Sequence, residues 1–189
     1  MSKTSRLVVL FLLLLIGAFA GRTLCVAQTS GRIEAIKKIC QKTNEDIARS
    51  EESPEISTIF LTELAVNRNN GPYPAVGIYR TVVKFYYTFG DREKEPYPNR
   101  LLKIIVATDR SDRKEHSEFV FNETEQMIFY LEKKDNIERR LYLAAEKPIR
   151  LEQDGRPLSL KTRSQAAIVA TIMKEKANLV QVFRRSLGF

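Results

Sequence analysis

The chain has 189 residues, a formal net charge of +8, 43% hydrophobic and 29% charged residues, with two cysteines and one histidine. That composition is of an ordinary globular protein, excludes a disordered one, and does not require disulfides. One histidine also excludes His-rich metal centres and any triad that needs a second imidazole.

The first 27 residues have the three parts of a secretory signal peptide. Lys3 and Arg6 form a basic start, Leu7 to Ile16 an unbroken apolar run, and Gly17-Ala18-Phe19-Ala20 a small-residue region. As a helix, Leu7 to Ala20 would rise about 21 Å, short of a hydrocarbon core of about 30 Å. The segment therefore reads as a cleaved leader rather than an anchor, and Leu24 before Cys25 argues against a lipoprotein site. Cleavage fits after Ala20 or after Ala27, leaving a single globular domain over about 28–189 and a secreted or periplasmic protein. The first site keeps Cys25 and Cys40 together, free to bridge in an oxidising compartment. The second leaves Cys40 alone, as a small buried hydrophobe, an intermolecular link or a reactive thiol.

Ile33, Ile36, Cys40 and Ile47 recur at helical spacing, predicting a helix over about 31–51 with Thr29 or Ser30 as its cap and Pro54 beyond its end. From Ile56 onward the text is β-like. Strands are predicted at 59–67, 75–89, 101–108, 118–122, 127–133 and 138–143, with a short hairpin over 149–160. Asn67-Arg68-Asn69-Asn70-Gly71-Pro72, the polar run 90–100, 109–114, 122–125, 134–136 and Asp154-Gly155 punctuate them. Connections this short cannot make parallel crossovers, so the strands pair as an antiparallel meander. Aromatics on both alternating faces of Phe85 to Phe89 require cover on both sides. In the last segment Ile168, Ile172, Leu179 and Phe183 line one helical stripe able to cover one sheet face.

The expected fold is thus α+β: an N-terminal helix, an antiparallel sheet of about six or seven strands, and a C-terminal helix on one sheet face. Cystatin-like and NTF2-like domains are similar in this general plan. The analogy is one of fold alone and transfers no active site.

The excess charge has a location. From Gln28 to Leu160, 22 basic and 22 acidic residues cancel, while Lys161, Arg163, Lys174, Lys176, Arg184 and Arg185 face only Glu175 in the remaining tail. Such a helix can contact an anionic surface, or its last-turn arginines can simply complement the helix dipole. Nucleic acid is excluded by the export signal and by the lack of a stacking motif.

Motifs for chemistry are scarce. His116 follows a polar loop and reads as a surface residue; as a general base it would need a nucleophile and an orienting carboxylate from elsewhere. Ser111-Asp112-Arg113-Lys114 matches S-x-x-K without the accompanying S-D-N and K-T-G elements. No nucleotide, metal or cofactor motif occurs, so no cofactor and no metal are expected. Tyr73 and Tyr97, each between prolines, are candidate ligand contacts or stiffened turns. Asn122-Glu123-Thr124 is an N-glycosylation sequon.

These features lead to an exported, non-enzymatic binding or interaction domain for a protein or a small apolar ligand. The candidate surfaces are a pocket between sheet and helix, a sheet edge, and the basic C-terminal helix with Lys174, Lys176, Arg184 and Arg185. The alternative is a small exported hydrolase or isomerase with a cleft of scattered Asp, Glu and Tyr residues and His116. Intact-mass measurement of secreted protein should show loss of about 20 or 27 residues; retention of Met1 to Ala27 in membranes would contradict export and release.

Overall fold

The computed structural model describes residues 3–74, 77–89 and 100–188, with side chains from residue 28 onward. Tyr97, the polar run 90–99 and the side chain of Cys25 lie outside the described residues. The chain divides into two units, Met1–Lys37 and Lys38–Phe189.

Helix α1 (Lys3–Glu52) makes up the described part of the first unit and continues into the second. The expected cap at Thr29 or Ser30 does not form, because the helix runs through both residues. Gly17, Gly21 and Gly31 each weaken a helix by only about 1 kcal/mol, which does not stop it. Pro54 does, since it lacks a donor and clashes with the preceding turn. Ser53 N–H bonds back to the Arg49 carbonyl at 3.1 Å, and a short 3-10 turn, Pro54–Ile56, leads into the sheet.

Among the described residues the second unit contains nine strands, where six or seven are expected. They are β1 (Ile59–Val66), β2 (Pro72–Tyr73), β3 (Gly77–Thr88), β4 (Arg100–Arg110), β5 (Lys114–Phe121), β6 (Met127–Lys134), β7 (Ile137–Ala144), β8 (Lys147–Gln153) and β9 (Arg156–Leu158). All pair antiparallel in the order β1-β3-β4-β5-β6-β7-β8-β9, with β2 beside β3 just beyond the end of β1. Tyr73 belongs to β2, and its ring meets Tyr79 edge-on at 6.0 Å. His116 lies within β5, which begins four residues before the expected 118, because the turn tightens to Ser111-Asp112-Arg113 once Arg110 N–H bonds the Arg113 carbonyl at 2.8 Å.

The registers place one apolar row across the sheet. Phe85 faces Ile104, Ile104 faces Phe119, then Tyr130, Leu141, Leu151 and Leu158 follow in sequence. The first six of these are at most 1% exposed. Neighbouring rings touch within the row, Phe119 and Tyr130 having centroids 4.9 Å apart. Helix α2 (Arg163–Ser186), capped by Thr162, contributes Ile172 and Phe183 to the same buried cluster. Phe183 lies 5.4 Å from the Phe85 ring and 5.2 Å from the Tyr87 ring.

The opposite sheet face carries a second row, Tyr86, Lys103, Val120, Phe129, Tyr142 and Arg150. Cover here comes from residues of α1 in the same unit: Asn44 meets Lys103 and Glu51 meets Tyr86, seven residues apart on one helical face. Register shifts at Tyr86/Tyr87, Val120/Phe121 and Tyr142/Leu143 coincide with adjacent buried residues. A bulge of this kind bends the strand and raises its twist.

Gly77 opens β3 at φ +72°, and a Cβ there would sit 2.5 Å from Ser111 Oγ. The Ser111 hydroxyl occupies that space to accept from Ile78 N–H at 2.8 Å. This tie accounts for the S-x-x-K serine as a turn residue.

Because Phe183 is 3% exposed and packs against two β3 rings, Phe183→Ala should cost about 3–5 kcal/mol in urea-monitored unfolding. A cost below about 1 kcal/mol would show that α2 adds little to this core.

Candidate functional site

The face under α1 holds a buried polar constellation. Lys103 stands in the middle of the apolar run Leu101-Leu102-Lys103-Ile104-Ile105-Val106, at a position that alternation turns toward α1. Its ammonium donates to Asn44 Oδ1 at 2.7 Å and pairs with Glu118 Oε2 at 2.7 Å, and the residue is 4% exposed. His116, two residues before Glu118 on β5, puts Nε2 2.9 Å from Glu118 Oε1. Burial alone would raise the Glu118 pKa, but hydrogen bonds from His116 and Lys103, with the Lys103 charge, hold it at about 2. The carboxylate is thus ionised at any ordinary pH and too weak a base to take protons readily.

Cys40 also feels this cluster. Burial pushes its thiol up to about 12, and the nearby Lys103 charge offsets only part of that rise. At neutral pH it is a protonated thiol and a poor nucleophile. Among the described residues it is free. The arrangement locks the helix against β4 and β5. Among the described residues no group of three or more His, Cys, Asp or Glu is placed to hold a metal ion.

On the α2 face, Glu132 on β6 pairs with Arg139 on β7, while burial and then the Glu132 charge raise the pKa of Glu175 on α2. The candidate tail residues divide. Lys174, Arg184 and Arg185 are exposed, whereas Lys176 Nζ bonds Glu146 Oε1 at 2.9 Å and serves the fold. Glu146 also accepts from Met127 N–H, so this pair ties α2 to the turn after β7 and the start of β6.

A cleft of about 610 Å³ opens beside the end of α1, with Asp46, Arg49, Ile56, Ile59, Arg100 and Glu123 in its wall. Its lining mixes both charge signs with few apolar groups. That suits a polar contact better than a small apolar ligand.

The remaining feature is the edge strand. Among the described residues nothing pairs with the outer side of β1. Ile59 spends its N–H on Ser57 Oγ at 2.9 Å, and its carbonyl accepts from the Ser50 and Ser57 hydroxyls, so its backbone faces away from β3. Two-residue alternation then points the N–H and C=O groups of Leu61, Glu63 and Ala65 outward. Leu61, Leu64 and Val66 expose 45%, 36% and 42% of their surface, and Tyr73 and Ile78 expose 43% and 48% at the β2 end. Leu61 projects on the α1 face, and Leu64 and Val66 project on the α2 face. Sequence reasoning named a sheet edge without locating it, because nothing local in Ile59-Phe60-Leu61-Thr62-Glu63-Leu64-Ala65-Val66 says which strand lacks a neighbour. Lys103 and Glu118 went unmarked as well, although a lone lysine inside an apolar strand was a readable signal.

The Glu118 pKa lies below its ordinary 4.5, so its stabilisation is complete above pH 4.5 and disappears as pH falls toward 2. Acid titration of unfolding should show a loss of about 2–3 kcal/mol across that window in the native protein. Glu118→Gln, which leaves Lys103 without its counter-charge, should cost about 3–5 kcal/mol at neutral pH and flatten this limb. Parallel acid limbs in both proteins would contradict the assignment.

Compared with known proteins, the chain matches no family model, no curated protein and no solved structure.

Proposed function

We propose that this protein is an exported, non-enzymatic binding module that takes an extended segment of a partner polypeptide onto the free edge of β1. The observation that carries the reading is the edge itself: outward backbone groups at Leu61, Glu63 and Ala65, flanked by exposed Leu61, Leu64 and Val66. An added strand would use those groups for main-chain hydrogen bonds and set alternate side chains against the apolar ones.

Sheet edges are commonly blunted by lysines, prolines or bulges, because an open apolar edge pairs indiscriminately. The eight residues of β1 contain one charge, Glu63, and no proline, and no register shift interrupts their pairing with β3. Self-pairing is disfavoured by that charge. With Ile59 already bonded to serines, the fullest two-fold pairing of the outward residues is centred on Glu63 and sets it against its own copy. A partner strand with Lys or Arg opposite Glu63 avoids this repulsion and gains from it.

The leader at Met1 to Ala27 supports placement outside the cell or in the periplasm. Among the described residues no helix is long and apolar enough to cross a membrane.

Glu63→Pro removes an outward N–H while leaving the ladder to β3 intact. Extended peptides selected on the native protein should contain basic residues and lose at least tenfold in affinity for the variant, with the thermal midpoint shifted by only a few degrees. Equal affinity for both proteins would refute the reading.

A further inference from the structure

We infer that Asn122 is an acceptor site for oligosaccharide transfer from a lipid-linked pyrophosphate donor. The inference rests on the export part of the proposed function, because only an exported chain meets such a donor. Asn122-Glu123-Thr124 is the one N-x-S/T sequence in the chain.

It occupies the connection between β5 and β6, where Glu123 and Thr124 are exposed. Asn122 Oδ1 accepts three hydrogen bonds, from Thr124 N–H at 3.0 Å, the Thr124 hydroxyl at 2.9 Å and Gln126 N–H at 2.9 Å. The turn is closed by Asn122 N–H to the Gln126 carbonyl and Glu125 N–H to the Asn122 carbonyl. All the acceptor capacity of the amide is thus occupied, while Nδ2 has no partner among the described residues.

Donation of the Thr124 hydroxyl into Oδ1 also couples the third sequon residue to the amide. A valine of the same shape could not make this bond. In the transfer, a bond forms between Asn122 Nδ2 and the anomeric carbon of the donor sugar. The bond from that carbon to the pyrophosphate oxygen breaks, the lipid pyrophosphate leaves with the electron pair, and one amide proton passes to a base of the transferase.

Beside the turn lies a cleft of about 510 Å³ walled by Ile39, Lys42, Thr43 and Leu102, which gives the first sugars a surface to rest on. Strands β3 and β4 separate the turn from β1, so the edge and the acceptor site can be tested apart.

The experiment is secretion of the full chain, leader included, from a eukaryotic cell, followed by intact-mass and glycopeptide measurement before and after peptide N-glycosidase. The expected result is one glycan, at Asn122, retained in Thr124→Ser and lost completely in Thr124→Ala and Asn122→Gln. Thr124→Ala keeps both backbone bonds to Oδ1, so its loss does not depend on the turn collapsing. Pro72→Thr makes Asn70 a second sequon and serves as an export control in the same chain. Modification at Asn70 but not at Asn122 would overturn the acceptor assignment alone. Absence of glycan at both would overturn the export premise and the acceptor assignment with it.

Discussion

The row from Phe85 through Ile104, Phe119, Tyr130 and Leu141 to Leu151 is the constraint on which the rest of the unit depends. Each of these side chains contributes about 1.5–3 kcal/mol by leaving water, and each does so only if its strand holds register with both neighbours. A one-residue slip in any strand would carry its member of the row to the opposite face. Six strands are therefore locked together by one line of packing, and α2 docks Ile172 and Phe183 onto the cluster built around it.

The other face solves a different problem. It buries a lysine, which in isolation would cost several kcal/mol, and offsets that cost with Glu118 and Asn44 at 2.7 Å each. An apolar residue at 103 would be free to pack against many helix positions. The ammonium is satisfied only when Asn44 and Glu118 arrive together, so the pair sets where α1 lies along the sheet. His116 joins this arrangement through Glu118.

Seen against these two covered faces, β1 is, among the described residues, one of the strands with an unpaired side, β9 being another. Its inner side is paired over all eight residues with β3, and its outer side keeps a hydrogen-bonding potential that only Ile59 has discharged internally. The β5 to β6 turn uses its polar groups in the opposite way, gathering three donors on one Asn122 oxygen and leaving the amide nitrogen without a partner among the described residues. The proposed partner segment and the proposed glycan therefore sit at different strands of one sheet, with β3 and β4 between them.

Residues with a strong local signal settled most of the architecture in the sequence alone: the α+β class, the antiparallel meander, the turns at Asn67 to Pro72 and Asp154-Gly155, the α2 stripe and the two-sided burial of Phe85 to Phe89. Pattern and turn chemistry act over a few residues, so they are legible there. The burial of Lys103 under α1 and the tie of Ile78 to Ser111 were decided by the tertiary structure. Each depends on a neighbour distant in sequence. Asn44 and Lys103 meet across 59 residues, Ile78 and Ser111 across 33. Which strand stands at the edge is likewise a property of the assembled order and of no single segment, because an unpaired side is defined by what does not lie beside it.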